Sequence, residues 1–144
     1  MKKNNGLSFF VPKKETGLDA ILINTGISAG FPSPAGDYKQ ERISLDKELI
    51  KNQEATFFAR VSGESMVNAG LEDGDLIIID RSIEPANNKI AVCYIDGEFT
   101  VKRLRVKKGK IWLQPENSKY QPIEIKEDNE LIIWGIVTNV VKKL

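Results

Sequence analysis

Lys89-Ile90-Ala91-Val92-Cys93-Tyr94-Ile95-Asp96-Gly97-Glu98-Phe99-Thr100-Val101-Lys102-Arg103-Leu104-Arg105 decides the fold. Two runs rich in Val, Ile and aromatics meet at Asp96-Gly97, and Asp-Gly between such runs is the strongest short-range hairpin signal. Lys108-Gly109 marks a second turn. Around this stretch lie Thr56–Ser62, Leu76–Asp80, Lys110–Gln114 and Leu131–Val141, short apolar segments bounded by Gly, Asn, Asp or Pro. The pattern predicts a mostly β domain, a small barrel-like folded sheet, over residues 41–144.

Residues 1–40 differ. Gly6, Pro12, Gly17, Gly26, Gly30, Pro32, Pro34 and Gly36 interrupt any sustained period, so the segment reads as an extended, flexible arm. Within it, Leu7–Val11 and Ile21–Ile23 are short apolar runs able to dock as strands. Ser44 is a candidate cap for a brief helix through Leu45, Leu49 and Ile50.

Composition narrows the chemistry. The 144 residues carry 21 Lys+Arg against 20 Asp+Glu, a net charge of +1, which argues against a chain devoted to gripping phosphates. No apolar run is long enough to span a bilayer, and no apolar core follows Lys2 and Lys3 as a signal peptide requires. One cysteine, Cys93, forms no intrachain disulfide, and a cytoplasmic location is expected. There is no histidine. That removes Ser-His-Asp and Cys-His triads together with the commonest metal ligand, so neither a metal nor a cofactor is expected.

Without histidine, an activated serine needs another base. Ser62-Gly63-Glu64-Ser65-Met66 follows the apolar strand Phe57–Val61 and breaks it with a turn, which exposes a hydroxyl and can aim backbone N–H groups at one point. Lys102 lies 37 residues further on, in the second arm of the hairpin. A period of two puts its side chain with Thr100 and Leu104, so it can point inward. A lysine serves as a base when neutral, and burial lowers its pKa from an ordinary ~10.4. Each half alone is bland: most Ser-Gly turns are only turns, and most strand lysines are solvated.

Together, the three blocks resemble the LexA/UmuD peptidase family: Ser62–Met66, Gly70-Leu71-Glu72-Asp73-Gly74-Asp75, and Asp96–Leu104. Their order and spacing match, and Gly30-Phe31-Pro32-Ser33-Pro34-Ala35-Gly36-Asp37-Tyr38 resembles the segment after the cleavage site of UmuD-type proteins. The resemblance runs from about residue 28 to Val141. It implies Ser65 as nucleophile and Lys102 as general base. It also implies an oxyanion hole from backbone N–H groups at Glu64 and Ser65, and self-cleavage at Ala29-Gly30. Asn88-Lys89 departs from the family's usual Gly-Asp, but Asn also tolerates a left-handed turn.

LexA itself carries a helix-turn-helix ahead of its protease. The roughly 28 residues before Ala29-Gly30 show no helical period, so sequence-specific DNA binding is not expected. UmuD-type proteins share the short arm. That resemblance implies a homodimer, cleavage stimulated by a RecA–single-stranded DNA filament in the SOS response, and partnership with a UmuC-like Y-family translesion polymerase. Rival readings are a signal peptidase, which would need a membrane anchor, a LexA-type regulatory peptidase without a DNA-binding domain, and a non-catalytic β module binding through its arm.

Four further features have ordinary explanations. The basic residues Arg103, Arg105, Lys107, Lys108 and Lys110 suit a solvated hairpin better than a nucleic-acid contact. Cys93 suits a small core position. Trp112 and Trp134 alternate with apolar neighbours, as core or dimer-surface residues do. Asp73 and Asp75 suit an Asp-Gly-Asp turn better than a metal pair.

Overall fold

The computed structural model describes residues 8–13, 20–23, 29–30 and 40–144. It divides into two compact units, Met1–Pro12 with Asn52–Leu144, and Lys13–Lys51. In the smaller unit, β2 (Ala20–Ile23) pairs antiparallel with β3 (Gln40–Ile43), and α1 (Leu45–Leu49) follows. Ser44 precedes α1 but makes no side-chain capping bond.

The larger unit is an eight-stranded antiparallel sheet. Its strands are β1 (Ser8–Phe10), β4 (Thr56–Arg60), β5 (Leu76–Asp80), β6 (Ile90–Ile95), β7 (Glu98–Lys107), β8 (Lys110–Gln114), β9 (Ile123–Glu124) and β10 (Leu131–Val141). Their order is β1-β4-β5-β10-β6-β7-β8-β9. The mostly β expectation holds, and Ser8–Phe10 of the Leu7–Val11 run docks on β4.

Turn chemistry sets the register. Asp96 (φ 47°) and Gly97 (φ 89°) both adopt left-handed backbone, so Ile95 pairs with Glu98 across a two-residue loop. Lys108 (φ 49°) and Gly109 (φ 75°) repeat the device between β7 and β8. Asn88 has φ 73°, the left-handed geometry expected where the family has glycine.

The sheet curls back on itself. Beyond β8, Glu116 N–H donates to the Ser65 carbonyl at 2.8 Å, and Asn68 N–H donates to the Glu116 carbonyl at 2.8 Å. These bonds join the exit of β8 to the turn after β4, although several strands separate the two in the sheet. Two apolar clusters fill the interior. Ala59, Val61, Met66, Leu71, Ile77, Ile79, Val92 and Val101 form one; Ala91, Cys93, Leu104, Leu113 and Ile136 form the other. Strand β7 contributes to both, because alternate residues face opposite sides.

A bulge in β10 adds Trp134 between Ile133, opposite Cys93, and Gly135, opposite Val92. Trp134 packs against Phe9, Phe57 and Phe99, and Arg81 lies 4.4 Å over its ring, so this tryptophan is structural. No helix among the described residues is long and apolar enough to cross a membrane.

Candidate active site

Ser65 lies in the turn between β4 and a short 3-10 turn, Val67–Ala69. Several bonds fix that turn. Val61 continues the pairing of β4 with β5, donating to the Asp75 carbonyl at 2.9 Å and accepting from Gly74 N–H at 2.8 Å. Gly63, at φ 91°, donates its N–H to Asp73 Oδ1 at 2.8 Å. Met66 is 2% exposed and anchors the far side of the turn in the first apolar cluster.

Asp73 therefore braces the serine turn. Asp75 accepts from Glu72 N–H at 2.8 Å and pairs with Lys142, which holds its carboxyl below the ordinary carboxylate value. Both aspartates have structural work, and no cluster of metal-ligating side chains occurs among the described residues.

Lys102 sits on β7 opposite Ala91 of β6 and is 8% exposed. Its Nζ donates to Thr100 Oγ1 at 2.7 Å, to the Val101 carbonyl at 3.1 Å and to Ser65 Oγ at 3.0 Å. Thr100 is two residues earlier on the same strand face, as the period of two requires. None of the ion pairs among the described residues involves Lys102.

Burial pushes the Lys102 pKa below its ordinary value; the neighbouring Cys93 would oppose this only as a thiolate. Burial also pushes the Cys93 thiol up to about 12, so it stays neutral at working pH. A neutral amine has two N–H donors and one lone pair. Val101 O and Thr100 Oγ1 can take the two N–H groups, which leaves the lone pair to receive the Ser65 O–H.

The N–H groups of Glu64 and Ser65 make no hydrogen bond among the described residues. Ala29 and Gly30 are both exposed and form a bend. Phe31–Tyr38, the segment resembling the residues after a UmuD-type cleavage site, lies outside the described residues.

The pattern of the family described as Peptidase S24-like matches residues 21–138, a span containing Ala29, Gly30, Ser65 and Lys102. The chain belongs to this family. It is 44% identical over 124 residues to protein SamA of Salmonella typhimurium, covering 86% of each chain. It is 42% identical over 114 residues to protein MucA of Escherichia coli, covering 78% of this chain and 77% of MucA. LexA repressor 1 of Geobacter sulfurreducens is 35% identical over 119 residues, covering 82% of this chain and 58% of the repressor. The LexA/UmuD resemblance of the three sequence blocks thus extends across most of this S24-like chain.

The basic hairpin of this S24-like domain is largely committed internally. Arg103 donates to Glu116 at 2.5 Å and to the Asn88 carbonyl at 2.7 Å, Arg105 binds Gln114 and Asn88, and Lys110 pairs with Glu124. Sequence reasoning missed the Pro115-Glu116-Asn117 segment, where Glu116 N–H and Asn117 Nδ2 hold the serine turn. A Pro-Glu-Asn run after a strand signals a turn but not what the turn touches.

Proposed function

We propose that this protein is a serine endopeptidase that cuts its own Ala29-Gly30 bond, with Ser65 as nucleophile and Lys102 as general base. The observation that carries the reading is the 3.0 Å approach of a buried lysine amine to a serine hydroxyl in a chain without histidine. Ser65 Oγ attacks the Ala29 carbonyl carbon while its proton passes to Lys102 Nζ. Backbone N–H groups at Glu64 and Ser65 receive the negative oxygen that forms. The C–N bond then breaks, and Lys102 returns the proton to the Gly30 amine. Water, deprotonated by Lys102, releases Ala29 from the ester on Ser65.

Small residues suit the cut, because an extended Ala-Gly backbone can lie close to a serine. Substrate and catalyst share one chain, and effective concentrations of well-oriented intramolecular groups reach ~10⁵ M or more. Modest chemistry is then enough for one turnover.

By likeness to UmuD-type proteins, residues 1–40 act as the arm that carries the cut. A RecA–single-stranded DNA filament stimulates cleavage during the SOS response, and the product, as a homodimer, joins a UmuC-like translesion polymerase. The test is mass spectrometry of purified protein after long incubation at alkaline pH. A fragment starting at Gly30 is expected, absent from both Ser65→Ala and Lys102→Ala. Cleavage that persists in both variants rules out the dyad.

A further inference from the structure

The two peptide groups flanking Ser65 are each held by their carbonyl from one short segment. Asn117 Nδ2 donates to the Glu64 carbonyl at 2.8 Å, and Glu116 N–H donates to the Ser65 carbonyl at 2.8 Å. The Glu116 carboxylate also holds Arg103 Nε at 2.5 Å, on the residue next to Lys102. The segment thus ties the strand of the amine to the turn of the hydroxyl.

Direction follows from covalent geometry. No peptide bond among the described residues is cis, and in a trans peptide the C=O and N–H point opposite ways. Fixing the Glu64 carbonyl therefore fixes the Ser65 N–H, which makes no hydrogen bond among the described residues. Val67 N–H also reaches the Glu64 carbonyl, but at 3.4 Å, so the shorter Asn117 bond sets the plane. The orientation of the Asn117 amide is itself determined. Its Oδ1 accepts from Lys119 N–H at 3.0 Å, and a flipped amide would set two oxygens against each other at Glu64.

We propose that Asn117 is a positioning residue that aims the Ser65 N–H at the oxyanion of self-cleavage by holding the Glu64 carbonyl. The inference rests on the serine–lysine reading above, and it assigns Asn117 no contact with the substrate. It separates the two halves of the site: Lys102 governs proton transfer, and Asn117 governs the donor that receives charge.

The experiment follows self-cleavage of the full chain against pH for wild type, Asn117→Asp and Asn117→Ser, with melting temperatures. Asn117→Asp keeps the shape and the oxygen that meets Lys119 N–H, but puts an oxygen where the Glu64 carbonyl needs a donor. Asn117→Ser keeps a turn-forming oxygen and is too short to reach Glu64, so it serves if the aspartate variant unfolds. Removing an oxyanion donor costs about 100- to 1,000-fold, so misaiming one is expected to lower the plateau rate by roughly 10- to 100-fold. The midpoint of the pH profile stays at the wild-type value in Asn117→Ser, where Lys102 gains no charged neighbour, whereas the carboxylate of Asn117→Asp moves it upward; melting shifts little. A merely structural role would lower the melting temperature without this separation of plateau from midpoint. Wild-type plateau rates in both folded variants overturn the inference, as does a midpoint that moves with the plateau in Asn117→Ser. A wild-type chain that never cuts itself overturns the peptidase reading and this inference with it. A wild type that cuts, beside variants that cut equally well, overturns only the role of Asn117.

Discussion

Cys93 and Lys102 lie on one face of neighbouring strands, and burial drives both toward their neutral forms. Cys93 pairs with Thr100 across β6 and β7, and Lys102 pairs with Ala91, so thiol and amine share the buried side of the second apolar cluster. Burial disfavours whichever form is charged: it lowers the lysine and raises the thiol to about 12. The neighbour that could stabilise an ammonium as an anion is therefore a neutral thiol below that pH. No anion at Cys93 then offsets the burial that lowers the Lys102 pKa beside Ser65.

The rate of self-cleavage should rise with pH through the folded-state pKa of Lys102 and level off below the ordinary lysine value of 10.5. In the proposed mechanism the active form is the amine, so activity follows its deprotonation. The measurement is the first-order appearance of the Gly30-start fragment across alkaline buffers. A rate independent of pH, or still climbing beyond 10.5, would mean that Lys102 is not the base.

The same burial makes Lys102 a cost to stability. Its folded pKa lies below the unfolded value, so between the two the unfolded chain binds more protons and stability rises with pH. Lys102→Met keeps an unbranched chain without the charge. Its gain in melting temperature over wild type should be fullest below the folded pKa and fade as pH approaches 10.5. Thermal melts at several pH values check this, and a gain that grows with pH contradicts it.

Much of this was legible in the sequence because local chemistry agreed with the fold. Asp96-Gly97 and Lys108-Gly109 fixed two hairpins, and alternation along Thr100-Val101-Lys102 put the lysine with Thr100. Other parts depended on distant partners. Gln40–Ile43 is mostly polar and is a strand by pairing with Ala20–Ile23. Ile123–Glu124 is two residues long and extended by its place beside β8. The Asn117–Glu64 bond joins residues 53 apart, through a curl of the sheet that no local pattern encodes. Ser44 shows the converse, a cap-like residue whose side chain caps nothing.

Gly135 is needed for space. A Cβ there would sit 2.5 Å from Ile79 Cγ2 and 3.2 Å from Arg81 Cγ, beside the β10 bulge. Ile79 is fully buried and cannot move aside. Overpacking of this kind costs about 1–3 kcal/mol. Gly135→Ala should lower the denaturant midpoint accordingly, and an unchanged midpoint would show that β10 can shift.

Gly30 differs, since the role proposed for it lies in the chemistry of the cut. A Cβ at Gly30 meets no atom within 4 Å, and its backbone is not in the left-handed region that only glycine favours. Gly30→Val should therefore leave melting unchanged. Beside the scissile carbonyl, however, a β-branched side chain keeps the serine oxygen from its near-attack distance, and a misplacement of about 1 Å costs on the order of 100-fold. Self-cleavage should fall by about that factor while the fold persists, read as loss of the Gly30-start fragment by mass spectrometry. Cleavage at the wild-type rate would place the scissile bond elsewhere in the chain.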